Sequence, residues 1–341
     1  MVTLPQSSKR DAGIDIARGI AIIIMMGANM GPVLHEPHSL FMRMCSSLAA
    51  PIFVLLAGMM IAHHAGARSW LKIGKRVGML LLWAAFTDMA AWGIRPFLGV
   101  DVLYLVAIGT AVTYSLRNVP AAALAAIIMA IAFATPFLQE SLGYTAYPTG
   151  MELLSGNVTV VVKQQTPVWH HYLIDGWFPV FPWLAYMLAG LMLGRYRWGN
   201  SSTRSLTGRK WGIMVTGCLA IGGVMWWLHP GAMYDRQGFS ELFYPPTVGF
   251  FIASLGAVLA VLTLAGISPT SRYWRPVRFM GQHSLFIYVA HSIVIGQFFV
   301  KWWQNAPLDK EPFLLVYSLF LLSMFMVTAA MQYAIFKIKA G

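Results

Sequence analysis

IDIARGIAIIIMMGANMGPVL, residues 14–34, is the stretch that decides the fold. It is an apolar run of about twenty residues, the length an α-helix needs to span a hydrocarbon core of ~30 Å at ~1.5 Å per residue. Asp15, Arg18 and Asn29 interrupt it, and it opens directly into His35-Glu36-Pro37-His38. Arg18 and Asn29 stand eleven residues apart, so helical steps of ~100° return them to within about 20° of one face. Along the axis they are separated by roughly 16 Å, about half of the core. Two readings are open. Arg18 pairs with Asp15 three residues before it while Asn29 hydrogen-bonds a neighbouring helix, as amides do in membrane bundles. Alternatively, a cation near one surface and an amide deep inside line a single polar path.

Composition extends this reading to the whole chain. Of 341 residues 58% are hydrophobic and 11% charged, and the mean hydropathy is +0.64; a soluble domain carries roughly 25% charged residues. The net charge of +12 sits in short inter-helix segments rather than on one contiguous face, which argues for membrane topology and against a nucleic-acid partner. Cys45 and Cys218 fall far apart in or beside apolar segments, so no disulfide framework is implied and neither reads as catalytic. The first segment lacks a small-residue cleavage site and is expected to be a retained helix rather than a signal peptide.

Apolar windows of about twenty residues fall at 14–34, 46–65, 74–94, 98–116, 119–138, 176–195, 210–228, 247–266, 279–299 and 312–336. With the N-terminus in the cytoplasm, 18 of the 24 Lys and Arg residues fall inside. Arg43, Arg95, Lys163, Arg236, Lys301 and Lys310 remain outside, a strong positive-inside bias that an odd helix count would scramble. The expected fold is therefore an all-α polytopic membrane protein of about ten transmembrane helices, both termini cytoplasmic. Residues 1–341 read as a single transmembrane domain carrying a long extracytoplasmic loop at 139–175. A loop of that length among short connections is usually functional or a small extramembrane element. It contains Glu140, Glu152, His170, His171 and Asp175, and Val158 to Val162 is a candidate short strand. Only Asp11 and Asp15 among the carboxylates fall inside. The sequon Asn157-Val158-Thr159 is short enough to arise by chance, and no internal repeat, P-loop or dinucleotide fingerprint is present.

Further polar groups lie within the apolar windows. Ser284, Tyr288 and His291 follow at i, i+4 and i+7 and share one face. Ionisable groups at membrane depth are functional candidates, against the alternative of a neutral histidine satisfied by a neighbouring helix. Asp88 and Arg95 are seven residues apart and share a face at ~10 Å along the axis, too far to pair, so partnering with other helices is expected. Pro179 and Pro182 after Asp175 remove helical donors and force an irregular helix start, of the kind that lines cavities. No metal is expected: His63-His64 and His170-His171 are adjacent pairs that point apart on a helix and lack partners at ligand spacing. No nucleophile-elbow pattern supports a hydrolase.

The segment from Arg10 to Asn29, with Ile14-Asp15 and Arg18-Gly19-Ile20, resembles the opening of the heparan-α-glucosaminide N-acetyltransferase family. Trp177-Phe178-Pro179, Pro182-Trp183-Leu184, Leu188-Ala189-Gly190 and Leu193-Gly194-Arg195 resemble a second motif of that family. The run Gly281 to Tyr288, through His291, is similar to a motif of the wider superfamily that acylates cell-surface polysaccharides. The resemblance implies an acyl-CoA-dependent acetyltransferase working across the membrane, with acetyl-CoA or another acyl-CoA as cytoplasmic donor and a sugar amine or hydroxyl as acceptor. It also implies a catalytic histidine in the loop after the first helix, ahead of a proline and a glycine seven residues later; Pro51 and Gly58 match that pair. Counting back places the histidine between His35 and His38, with His38 preferred, one step away. Asn29 matches the asparagine of the first helix, where the polysaccharide-acylating branch usually has histidine. The loop is shorter than in eukaryotic members, whose extra first helix and luminal domain are missing, so heparan itself does not carry over as the substrate.

On this reading His38 or His35 deprotonates the acceptor or is itself acetylated, and Asn29 holds the thioester carbonyl or orients the imidazole. Arg18, Lys72, Lys75, Arg76, Arg275 and Arg278 are the candidate ligands of the CoA phosphates, although the positive-inside rule alone would also put cations there. Asp175, Ser284, Tyr288 and His291 are the candidate acceptor-binding residues. The implied partners are membrane lipid and a carbohydrate or glycan, with a homodimer allowed by the resemblance, in a bacterial inner membrane. The alternative from another class is a multi-helix transporter of a small polar solute, for which broken helices and buried charges are equally expected.

Overall fold

The computed structural model describes residues 10–31, 39–64, 69–144, 149–154, 157–162, 166–199, 203–230, 242, 246–300 and 308–340, the segments 149–154 and 157–162 as backbone only. The elements in order are α1 (Ala12–Asn29), α2 (Leu40–Ser46), α3 (Ala49–His64), α4 (Trp70–Thr87), α5 (Val102–Ser115), α6 (Ala121–Leu142), β1 (Thr149–Leu154), β2 (Asn157–Val162) and α7 (Val168–His170). They continue as α8 (Val180–Trp198), α9 (Arg209–Leu228), α10 (Val248–Ile267), α11 (Arg275–Gln282), α12 (Ser284–Val294) and α13 (Lys310–Ala340).

Helix α1 is the central strut. Asp11 starts it by accepting hydrogen bonds from the backbone N–H groups of Gly13 and Ile14 at 3.1 and 3.3 Å, which satisfies donors that a helix start leaves unpaired. The helix ends at Asn29, earlier than the sequence window. Ile14, Ile16, Ala17, Ala21, Ile22 and Met26 on it are fully buried, and α3, α10, α11, α12 and α13 all pack against it. By contrast α9 and α13 leave most of their apolar surface exposed, as helices facing lipid do.

Among the described residues six helices are, by length and composition, able to cross a bilayer: Ala12–Asn29, Leu40–His63, Ala121–Leu142, Arg209–Leu228, Val248–Ile267 and Lys310–Ile338. A seventh is counted if Val168–Asp175 and Val180–Trp198, bent by 55° to one another, form one span. The bend falls where Pro179 and Pro182 were expected to disturb the helix, and Phe181 between them is non-helical, with φ −95° and ψ 118°. The other three windows are helical too, but differ from simple spans. α4 carries Lys72, Lys75 and Arg76 in its first two turns, α5 has 14 residues, and the window at 279–299 is divided at His283 into α11 and α12. The long loop departs from an all-α reading: β1 and β2 pair antiparallel, with Glu152 opposite Thr159. The candidate strand at Val158 to Val162 is thus part of a hairpin.

Helices approach closely where glycine removes the side chain. A Cβ on Gly58 of α3 would lie 1.8 Å from the Met187 carbonyl oxygen of α8, and one on Gly190 of α8 would lie 1.9 Å from that of Leu55. The two backbones therefore touch through reciprocal glycines, the small-residue packing by which membrane helices associate without a hydrophobic driving force. At α1 the same device recurs: a Cβ on Gly281 would lie 1.8 Å from the Asp15 carbonyl oxygen, and one on Gly19 2.0 Å from that of Val277. Gly190→Val is expected to force α3 and α8 apart at a cost of about 1–3 kcal/mol, measured as a fall in melting temperature of the detergent-purified protein. Gly212→Val on α9, which meets nothing within 4 Å, is the control expected to melt like wild type.

Candidate active site

Two polar layers lie toward opposite ends of α1, separated by its apolar middle. Asp15 and Asn29, which mark them, are 14 residues apart, or roughly 21 Å along the helix. The first layer gathers on Asp15, a carboxylate exposed by only 2%. Arg10 Nε and Arg18 Nη1 approach it at 3.0 and 3.5 Å, and Gln282 Nε2 donates to it at 3.2 Å. Nearby, Arg197 Nε and Nη2 donate to Asp11 at 2.7 and 3.1 Å, tying the end of α8 to the start of α1. Arg195 donates to the Val119 carbonyl at 2.6 Å and to those of Leu116 and Arg117. These pairs repay part of the desolvation of each charge.

The cations singled out from the sequence divide here. Arg18 is committed to Asp15, and Arg278 donates to the Pro269 carbonyl at 3.0 Å. Lys72, Lys75 and Arg275 are exposed and Arg76 half-buried.

The second layer is built from α1, α12, α5 and the chain between α4 and α5. Asn29 Nδ2 at the end of α1 lies 2.9 Å from Nε2 of His291 on α12, whose Nδ1 lies 2.8 Å from the Ile287 carbonyl one turn earlier. Tyr288 stacks edge-on against His291 with ring centroids 5.7 Å apart, and its hydroxyl donates to Oδ2 of Asp101. Asp101 is the N-cap of α5, its Oδ1 accepting from Val102 N at 2.6 Å. One turn into α5, Tyr104 donates to Oδ2 of Asp88 at 2.6 Å and accepts from Phe97 N at 2.9 Å. Among the described residues neither Asp88 nor Asp101 has a cationic partner. Both carboxylates are held by phenols.

A third group adjoins this layer. Asp175, fully buried, receives His171 Nδ1 at 2.8 Å and lies 3.0 Å from His170 Nδ1; Thr166 donates to its other oxygen at 3.3 Å. Trp177 N and Phe178 N then donate to the Gly99 and Val100 carbonyls at 3.2 and 3.0 Å, so the Asp175 turn clamps the loop that presents Asp101. Tyr172 meets Tyr104 edge-on, with centroids 6.2 Å apart.

Several expectations are corrected by this arrangement. His170 and His171 do not point apart, because residues 171–175 form a wider π-helical turn and both Nδ1 atoms reach one carboxylate oxygen. Asp88 and Arg95 do not share a helix face: the helix ends at Trp92 and Gly93 turns the chain with φ 65°, leaving Arg95 exposed. Of the candidate acceptor-binding residues, Tyr288 and His291 lie in the Asn29 layer, Asp175 in the adjoining group, and Ser284 half-buried in the first turn of α12. His35 and His38 lie outside the described residues. Asp101 and Tyr104 were not singled out from sequence; only the aspartate ahead of an apolar run, a capping signal, marked the first of them. Among the described residues no group of three or more His, Cys, Asp or Glu is disposed to hold a metal ion.

A bundle of long apolar helices around an internal layer of amide, imidazole, phenol and carboxylate groups defines an integral membrane protein with a built polar site. The chain matches the family described as heparan-alpha-glucosaminide N-acetyltransferase, catalytic, over residues 10–229. That segment is well over half of the chain, which belongs to this family of transmembrane acetyltransferases. No curated protein matches the chain. The matched segment contains Asn29, Asp88, Asp101 and Asp175, whereas Arg275, Arg278, Ser284, Tyr288 and His291 lie beyond it.

Tyr104 carries a specific expectation. Tyr104→Phe leaves the buried Asp88 carboxyl and the Phe97 N–H without this partner, an expected loss of about 1–3 kcal/mol read as a lower melting temperature. Adding Asp88→Asn should recover part of it, since a neutral amide is cheaper to leave buried than a carboxylate.

Proposed function

We propose that the protein transfers an acetyl group from acetyl-CoA in the cytoplasm to an amine or hydroxyl of an extracytoplasmic carbohydrate, in a bacterial inner membrane. The observation that carries this reading is the Asn29–His291 pair at 2.9 Å, on the helix that leads into the histidine-bearing segment 32–38 of an acetyltransferase family member. The positive-inside bias supports ten spans with both termini and the Asp15 layer on the cytoplasmic side. CoA phosphates then meet the basic end of the bundle, where Lys75 and Arg275 are exposed, together with Lys72, Arg76, Arg18 and Arg278. The pantetheine arm reaches inward to the depth of Asn29.

The acceptor nitrogen or oxygen attacks the thioester carbonyl carbon while His38, or His35, takes its proton. The Asn29 amide donates to the developing oxyanion. Collapse breaks the carbon–sulfur bond, and the proton ends on the departing thiolate, giving CoA thiol and the N- or O-acetylated sugar. Asp101 and Asp175, at the same end of the bundle, accept hydrogen bonds from the sugar's other hydroxyls, with Ser284 and Tyr288 on the adjoining face.

Purified protein in nanodiscs with labelled acetyl-CoA and a panel of amino sugars and glycans tests this. Saturable CoA binding and label transfer are expected. His38→Ala should lower transfer by about 10²–10⁴-fold and Asn29→Ala by about 10²–10³-fold, with binding retained. Absence of CoA binding, wild-type transfer by both His38→Ala and His35→Ala, or uptake of unmodified solute into proteoliposomes would overturn the reading.

A further inference from the structure

His291 is fully buried and both ring nitrogens are engaged. A backbone carbonyl only accepts, so the Ile287 oxygen at 2.8 Å from Nδ1 requires the proton to sit on Nδ1. In the neutral ring Nε2 then carries a lone pair. The group facing it at 2.9 Å must donate, which makes it the NH2 of Asn29 and fixes which way that amide is turned. One amide N–H is spent on His291; the other, and Oδ1, have no partner among the described residues.

Among the described residues the neighbouring donors are spent elsewhere. Tyr288 has a single hydroxyl proton and gives it to Asp101, Ser292 gives its own to the Tyr288 carbonyl at 2.8 Å, and Gln297 donates to the Ala90 and Ala91 carbonyls at 3.0 and 3.1 Å. On α13, Tyr317 donates to the Ile23 carbonyl at 2.7 Å. Among the described residues the titratable side chains of this layer are Tyr288 on the same helix, Asp101 and Tyr104 from α5 and Asp88 from the turn after α4, with Tyr317 of α13 bonded to the α1 backbone.

We infer that His291 is a positioning residue for the acetyl transfer. Through the sequence Ile287 carbonyl, Nδ1–H, Nε2 and Asn29 NH2, the α12 backbone sets the Asn29 amide with an N–H presented to the thioester oxygen. This rests on the role proposed for Asn29. It assigns His291 a task in the reaction different from direct contact with the sugar. The arrangement has a direction in pH: protonating Nε2 puts a donor against a donor, so the amide turns over and offers its oxygen where an N–H is needed. Transfer should therefore fall on the acid side as His291 gains its proton and be constant above it, apart from the titration of the histidine in segment 32–38.

The test uses full-length protein in nanodiscs. His291→Gln keeps an acceptor for Asn29 but does not titrate, whereas His291→Phe offers none. His291→Gln should stay within about threefold of wild-type kcat and lose the His291 part of the acid fall. His291→Phe should lose about 10–10²-fold in kcat, part of what one oxyanion donor contributes, with KM for acetyl-CoA unchanged. A second measurement needs no turnover: the ¹⁵N-histidine NMR spectrum of wild type minus that of His291→Gln should show a ring protonated on Nδ1 and bare on Nε2. A proton on Nε2 at neutral pH overturns the inference, as does wild-type kcat in His291→Phe or equal loss of kcat in both variants. A wild type that binds acetyl-CoA but transfers to no acceptor, with the NMR assignment intact, instead sinks the acetyl-transfer reading on which the inference depends.

Discussion

The contact on which the rest depends is the glycine crossing of α1 and α11. A Cβ at Gly281 would fall 1.8 Å from the Asp15 carbonyl oxygen and one at Gly19 2.0 Å from the Val277 oxygen, so the two backbones meet with no side chain between them. Such a contact tolerates almost no sliding. It puts Gln282 beside the Asp15 carboxylate and thereby sets where α12 begins after the break at His283. From that fixed origin His291 comes level with Asn29. Had the crossing been filled by larger residues, α12 would stand farther off and a hydrogen bond of 2.9 Å between the two side chains would not form.

The apolar middle of α1 separates two kinds of electrostatics. Around Asp15 the groups are ionic, with two arginines on one carboxylate, as suits an end of the bundle where side chains reach toward water. Around Asn29 the pairing is neutral or phenol to carboxylate, with no arginine or lysine partner on Asp88 or Asp101 among the described residues. Unpaired charge is costly at membrane depth. A tyrosine hydroxyl gives a carboxylate a strong, short hydrogen bond without adding a second charge to desolvate. The Asn29 layer is thus polar enough to hold a hydrophilic group and contains few fixed charges.

Much of this was legible because helix periodicity is local. Arg18 and Asn29 on one face, the polar row Ser284, Tyr288 and His291, and the disturbed helix start at Pro179 to Pro182 follow from residues within a few turns of each other. Of the two readings left open for α1, the contacts seen are those of the first: Arg18 pairs with Asp15, and Asn29 bonds a neighbouring helix at the histidine of the polar row. What the sequence could not convey was long-range or off-period. Asp101 meets Tyr288 across 187 positions, and nothing near either residue signals the other. His170 and His171 converge on Asp175 in a turn that is π-helical, whereas an α-helical spacing rule turns them about 100° apart. Arg95 fell off the helix at Gly93, which takes a left-handed conformation that glycine adopts at little cost.

For the proposed transfer, the neutrality of the Asn29–His291 pair has a consequence that a cationic donor would not share. An arginine at the position of Asn29 would bind an oxyanion more strongly, but it would also need a counter-ion whenever the site stood empty, and that ion would compete with the substrate. A neutral amide already turned by an imidazole carries no such requirement. Its dipole is set before the thioester arrives, so little reorganisation accompanies charge development, and in a water-poor site a fixed dipole acts with less screening than in solvent. The imidazole adds polarisation along the hydrogen-bond chain while its other nitrogen stays locked to the α12 backbone. The first helix brings the amide to the right depth; the twelfth decides which of its two atoms the substrate meets.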